Sequence, residues 1–92
     1  MGSLNKTVII HNPLGLHARP AAQLAQTAQT ANGPVFIHAS GDKIDAKDVL
    51  EILSLGCGVG SRLIIEVEDP QDSAVLGKMC DQLQDNSGEA LS

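Results

Sequence analysis

The chain has 92 residues, of which 42% are hydrophobic and 18% charged, and its formal charge at pH 7 is −5. This length and composition fit one folded domain with a single core, whereas six Lys plus Arg and a single aromatic residue, Phe36, argue against nucleic-acid binding, which uses a basic surface and stacking rings. No apolar run reaches the roughly 20 residues of a membrane span, and the first residues lack the apolar stretch of a signal peptide, so we expect a cytoplasmic monomer without membrane insertion.

The first half of the chain predicts a strand, a helix and a hairpin. Residues 6–11 are β-branched and end at an Asn-Pro turn, which indicates a strand. Residues 18–30 repeat small apolar side chains at offsets of three and four, the spacing of a helix that can lie close against a sheet. Residues 34–40 and 43–45 then favour two strands joined by a tight turn at Gly41-Asp42.

The second half predicts two helices that flank one strand. Asp45 is a candidate cap for a helix that Gly56 ends, with an apolar face formed by Val49, Ile52 and Leu53. Residues 61–68 read as a strand, and the Asp-Pro pair after them can begin a helix. The apolar spacing of that last helix is provided by Leu76, Met79, Cys80 and Leu83.

The resulting order, β-α-β-β-α-β-α, predicts an α+β fold. In a sheet this small, three helices bury their apolar faces best on one side, so we expect an open-faced β-sandwich with a four-stranded, mainly antiparallel sheet. Residues 1–92 form one domain in this interpretation, with a core over about 6–84 and a flexible polar tail over 85–92. Cys57 and Cys80 match no redox or zinc spacing, so we expect two reduced structural thiols and no metal site.

Residues 14–24, LGLHARPAAQL, place functional side chains at the start of the first helix. His17 stands where the first helical amides have no intrahelical acceptor and where the macrodipole favours an anion. Pro20 suits the first turn, which needs no donor from it, and Gly15 lets the loop fold close to the ring. A neutral imidazole is a nucleophile, and the Arg19 guanidinium can bind phosphate oxygens through two hydrogen bonds. The pattern predicts a histidine that accepts and donates a phosphoryl group.

Two motifs in register carry a family resemblance. Residues 15–21, GLHARPA, closely resemble the active-site signature of the HPr family, the histidine-containing phosphocarriers of the bacterial phosphoenolpyruvate-dependent sugar phosphotransferase system. Residues 46–48, AKD, and 54–56, SLG, are similar to a second conserved region of that family at the right distance downstream. The resemblance extends over about residues 6–84.

The resemblance implies the same open-faced sandwich and a specific role for each motif residue. His17, through its Nδ1, would take a phosphoryl group from enzyme I, which phosphoenolpyruvate phosphorylates, and pass it to the IIA component of a sugar permease. The Arg19 side chain and the backbone N–H groups of Ala18 and Arg19 would hold the group. A protein of this kind carries the group without a metal or organic cofactor of its own and is not a turnover enzyme by itself.

The chain departs from the family pattern at a regulatory position. Many HPr proteins have a serine there that a kinase phosphorylates, whereas this chain has Asp48, which has no hydroxyl group to modify. Its carboxylate has a structural interpretation, because an acidic side chain in the first turn stabilises a helix. A second hypothesis is that its permanent charge weakens docking to enzyme I.

The predicted partner surface also differs from the family pattern. Gln26, Gln29 and Glu51 stand where many members have lysines, so electrostatic steering toward acidic partners should be weaker. An exposed apolar patch formed by Leu16, Leu50 and Leu53 could still anchor a partner, although Leu53 suits the core as well.

Other functions stay open at this point. The chain could be an HPr-like domain of a fused phosphotransferase protein of the fructose or dihydroxyacetone pathways, or a regulatory HPr-like binding module. A small hydrolase with His17 as general base is a further alternative, but the sequence offers it no second acid or base. A solvated or capping role is the simplest interpretation of a histidine near a helix start.

Overall fold

The computed structural model describes the backbone of residues 2–89 and the side chains of residues 2–84. The strands are β1 (Leu4–Ile9), β2 (Val35–Ala39), β3 (Asp42–Asp45) and β4 (Arg62–Val67), and the helices are α1 (Ala18–Ala28), α2 (Val49–Ser54) and α3 (Ser73–Glu89). A 3-10 turn at Pro70–Asp72 leads into α3. The predicted order of elements is confirmed, and the predicted flexible tail, residues 85–92, lies outside the described side chains.

The four strands form one antiparallel sheet in the order β1-β4-β2-β3. The three helices pack on one face, and the side chains of β4 alternate between buried and accessible because only that face is covered. The predicted open-faced α+β sandwich is therefore confirmed. Within the described part of the chain, no helix is long and apolar enough to cross a bilayer.

The core lies between the sheet and the helices. Ala21, Ala25 and Ala28 of α1 are completely buried, so the predicted small-residue face of this helix is its buried face, although α1 makes its closest backbone contacts with α3 and α2 and not with the sheet. Leu24, from the same face, contributes a large side chain to the centre of the core. The four apolar residues predicted for α3 are all buried, in agreement with their helical spacing: Leu76, Met79, Cys80 and Leu83.

Two local predictions, the start of β1 and the position of the hairpin turn, differ from the structure by one or two residues. Strand β1 begins at Leu4, two residues earlier than predicted, because β4 is long enough to pair Val67 with Leu4. The β2–β3 turn consists of Ser40 and Gly41, both with positive φ (52° and 85°), as a two-residue hairpin of primed type requires. His38 lies within β2, and its Nε2 is 2.8 Å from Glu66 Oε1 on the open face.

The cap of α2 is Asp48 and not Asp45. Asp45 is the last residue of β3, paired with Phe36, and its carboxylate accepts a hydrogen bond from the Lys47 amide (2.8 Å). The carboxylate of Asp48 accepts from the amides of Leu50 (2.9 Å) and Glu51 (3.3 Å). The prediction that Gly56 ends α2 is confirmed, since Gly56 adopts a φ of +61° directly after the C-cap residue Leu55.

Asp72 links the start of α3 to the loop after α1 through two hydrogen bonds. Its side chain is 3% exposed, and its two carboxylate oxygens accept hydrogen bonds from the backbone amides of Asn32 (2.9 Å) and Gly33 (3.0 Å). These two amides lower the pKa of Asp72 below its usual value.

We expect Asp72 to make stability depend on pH in the acid range. Because its pKa is lower in the folded chain than in the unfolded chain, the stabilisation is fully present above the unfolded value of about 3.9 and is lost as the pH falls through the folded value. Urea unfolding from pH 5 down to pH 2 should show a smaller loss of stability for Asp72→Asn than for the wild type. Parallel losses in both proteins would contradict this assignment.

Candidate functional site

The site is built from two loops that hydrogen bond to each other. The β1–α1 loop meets the α2–β4 loop where the Leu16 amide donates to the Cys57 carbonyl (2.9 Å) and the Gly60 amide donates to the Ile10 carbonyl (2.8 Å). The Ile10 amide in turn donates to the Ser61 carbonyl (2.9 Å). These bonds fix the path of the chain into α1, and therefore the position of the residue that precedes the helix.

Gly15 allows this contact between the two loops. Its φ is +70°, and a Cβ atom at this position would lie 2.6 Å from the Cys57 carbonyl oxygen and 2.8 Å from the Gly58 Cα. Both of these neighbours are backbone atoms, which cannot move aside as a flexible side chain can. Only glycine fits here, for reasons of conformation and of space.

His17 is the N-cap residue of α1. Its backbone is extended (φ −94°, ψ −173°), and its carbonyl accepts the first helical hydrogen bond, from Ala21 (3.0 Å). The Ala18 and Arg19 amides come before Ala21 in the helix and have no acceptor within it. Pro20 has no amide hydrogen, which suits its predicted place in the first turn. Two donors at the positive end of the helix dipole therefore follow directly after the histidine.

The side chains at this helix start are accessible to a reactant. The His17 imidazole is half-buried and caps none of the α1 amides that the structure describes. Arg19 is exposed, and within the described side chains its guanidinium pairs with no carboxylate. A nucleophilic ring, two backbone donors and a guanidinium can thus act together on one tetrahedral anion. This arrangement suits the acceptance and release of a phosphoryl group.

The structure separates the three leucines predicted for a partner surface. Leu16 is only 6% exposed and belongs to the core, so its inclusion in an exposed patch is wrong; the hydrogen bond from its amide to Cys57 turns its side chain inward. Leu53 is partly buried against the core, while Leu50 is 76% exposed. The predictions missed Leu14 (75% exposed) and Val59 (60% exposed), which lie on the two loops of the site.

Cys57 lies in the α2–β4 loop of the site, but its thiol is not activated. Burial raises the pKa of Cys57, and a hydrogen bond with Ser61 only partly opposes that effect. Burial likewise raises the pKa of Cys80, in the core. Both cysteines are free thiols. Among the described residues, no cluster of His, Cys, Asp and Glu side chains could hold a metal ion.

Replacing Asp48 tests its role as the α2 cap. Asp48→Ala should lower the free energy of unfolding by about 1 kcal/mol, because the amides of Leu50 and Glu51 lose their acceptor. Asp48→Ser should differ from the wild type by only a few tenths of a kcal/mol, since serine caps nearly as well. Urea denaturation measures both values, and equal losses in the two variants would argue against a capping role.

An open-faced α+β sandwich with an accessible histidine at the start of its first helix is the arrangement expected of a small phosphoryl-carrier domain. A family model described as "PTS HPr component phosphorylation site" matches residues 4–85. The chain therefore belongs to the HPr family of the phosphotransferase system.

Individual relatives agree with this family assignment. The chain is 30% identical over 86 residues to the phosphocarrier protein HPr of Cupriavidus necator, covering 94% of this chain and 97% of that protein. It is 38% identical over 72 residues to the HPr-like protein Crh of Halalkalibacterium halodurans, covering 76% of this chain and 86% of that protein. The crystal structure of HPr from Bacillus anthracis superposes with a TM-score of 0.84 at 31% identity, over 91% of this chain and all of that one.

Proposed function

We propose that this chain is a monomeric cytoplasmic phosphocarrier that accepts a phosphoryl group on His17 from phosphorylated enzyme I and donates it to a IIA component during sugar uptake. The observation that carries the proposal is the position of His17 as the N-cap residue of α1. The amides of Ala18 and Arg19 follow it directly and precede the first intrahelical hydrogen bond. Membership of the HPr family supports the same reaction.

The transfer needs only one bond exchange at each step. The Nδ1 lone pair of His17 forms a new N–P bond while the bond between phosphorus and the donor breaks, and the ring proton stays on Nε2. The Ala18 and Arg19 amides and the Arg19 guanidinium then hold the phosphoryl oxygens. Each of these interactions contributes on the order of 1 kcal/mol. This stabilises the bound phosphoryl group but still allows its transfer to the acceptor. Donation to the acceptor is the reverse exchange.

A regulatory binding module is the second candidate, favoured by the similarity to Crh, which is named HPr-like. Docking alone needs no nucleophile, however, and this chain has both His17 and Arg19 at the helix start, the latter without a carboxylate partner among the side chains of residues 2–84. The carrier role uses both side chains, so we prefer it.

The decisive experiment is a reconstitution with purified components. The chain is incubated with enzyme I, Mg²⁺ and phosphoenolpyruvate, and its intact mass is measured before and after mild acid treatment. We expect a gain of one phosphoryl group that acid removes, as for a phosphohistidine, and loss of that group on addition of a IIA protein. No gain with enzyme I, or a gain that survives acid, would overturn the carrier proposal.

A further inference from the structure

We infer that Asn12 is a positioning residue for the proposed phosphoryl transfer, because its side chain and its carbonyl together fix the loop that leads to His17. The inference rests on the proposed function and adds to it a residue outside the helix start. In this role Asn12 acts through the backbone of residues 13–16 and not on the phosphoryl group itself.

Asn12 accepts hydrogen bonds from two consecutive amides of the β1–α1 loop. Its Oδ1 accepts from the Leu14 amide (2.9 Å), and its backbone carbonyl accepts from the Gly15 amide (2.8 Å). Pro13, the residue in between, has a fixed φ and no amide hydrogen. A side-chain bond and a backbone bond therefore close the same four-residue turn, in which an Asx turn overlaps a β-turn.

This turn ends at the closest approach of the two loops of the site. A Cβ atom on Gly15 would lie 2.6 Å from the Cys57 carbonyl oxygen, and the next amide, that of Leu16, donates to the same oxygen (2.9 Å). Three consecutive loop amides thus have acceptors, two of them on Asn12. His17 follows directly, and its imidazole caps none of the described α1 amides, so the position of the ring depends on the path of this backbone.

A second turn of the same kind, at residues 69–72, offers a comparison. The Asp69 side chain accepts from the Gln71 amide (2.9 Å), and its carbonyl accepts from the Asp72 amide (2.9 Å). Burial follows the same order in both turns: a partly exposed first residue, two exposed residues and a buried fourth. The second turn leads directly into α3, whereas the first reverses at Gly15, with a φ of +70°, and meets another loop before α1 begins. The two turns share their local bonds and differ in the element that follows them.

Single-turnover transfer from phosphorylated enzyme I to this chain tests the inference. Asn12→Ala leaves the Leu14 amide without its acceptor, so the rate constant at saturating chain should fall about 10-fold, because a small misplacement of a reacting group slows its reaction. The concentration that gives half the maximal rate should change less than about 3-fold, since no docking side chain is removed.

Two further substitutions at the same position restore the acceptor to different extents. Asn12→Asp keeps the oxygen that closes the turn, as Asp69 does in the second turn, and its rate constant should stay within about 3-fold of the wild type. Asn12→Ser closes such a turn more weakly and should give a rate constant between those of Asn12→Ala and the wild type.

Asp69→Ala is the matched control, because it removes the same bond from the other turn. It should lower the urea concentration at half unfolding about as much as Asn12→Ala does, yet transfer should occur at the wild-type rate. Circular dichroism without urea confirms that each variant is folded. A role of Asn12 in stability alone would leave the rate constant of a folded variant unchanged.

Three results would overturn the inference and leave the carrier function intact: a wild-type rate constant in Asn12→Ala, an equal fall in Asp69→Ala, or no recovery in Asn12→Asp and Asn12→Ser. Failure of the wild type to accept any phosphoryl group would instead overturn the carrier function, and the inference with it.

Discussion

His17→Ala should abolish phosphoryl acceptance completely while leaving the fold intact. The imidazole is the nucleophile in the proposed transfer, and no other side chain at the start of α1 can form the N–P bond. The same imidazole caps none of the described α1 amides and is only half-buried. Its removal should therefore change the free energy of unfolding by less than about 1 kcal/mol. Intact-mass measurement after reaction with enzyme I and urea denaturation give the two readouts.

The other two histidines provide matched controls. His11 is exposed beyond the end of β1, and His38 lies on the open sheet face in contact with Glu66. His11→Ala and His38→Ala should each still gain one phosphoryl group. If His17→Ala gains the same mass as the wild type, or if either control loses the gain, the modified residue is not His17.

Gly15→Ala should be among the most destabilising single substitutions near the site. The added Cβ would meet the Cys57 carbonyl oxygen at 2.6 Å, and an alanine with φ of +70° is strained in any surroundings. Backbone strain and steric overlap together should lower the free energy of unfolding by about 2–4 kcal/mol. Because the two loops must separate to relieve the overlap, the entry into α1 shifts, and the rate of phosphoryl transfer should fall as well.

Gly41→Ala separates the two causes. Gly41 also has a positive φ, +85°, but a Cβ there would meet nothing within 4 Å. This variant should show the cost of backbone strain without the steric overlap, so it should be clearly less destabilised than Gly15→Ala and should transfer phosphoryl groups at the wild-type rate. Equal destabilisation of the two variants by urea denaturation would show that the contact with Cys57 is unimportant.

The accessibility of the site is compatible with the two partners of the proposed function. His17 is half-buried at the surface, and Arg19, two residues later, is exposed. In the proposed transfer, a donor and an acceptor reach the same ring in turn. Burial of these side chains against a partner would also exclude water from the transfer step.

Much of the fold was predictable because its elements have clear local patterns. The helical spacing of Leu76, Met79, Cys80 and Leu83 correctly identified the buried face of α3. The turn residues between strands predicted the correct number of strands, and their order along the chain predicted an antiparallel sheet. The errors concern ends and caps. Asp45 and Asp48 are equally good cap residues in isolation, and only the pairing of Asp45 with Phe36 in the hairpin decides between them.

The chemistry proposed for the site can be inferred from a short stretch of sequence, because His17, Ala18, Arg19 and Pro20 are neighbours and the properties of a helix start are local. The surroundings of these four residues depend on the tertiary structure. The burial of Leu16, the fit of Gly15 against Cys57 and the hydrogen bond that the Asn32 amide donates to Asp72, 40 residues away, all depend on how distant loops meet. Such contacts follow from sheet register and packing, and no short stretch of sequence carries that information.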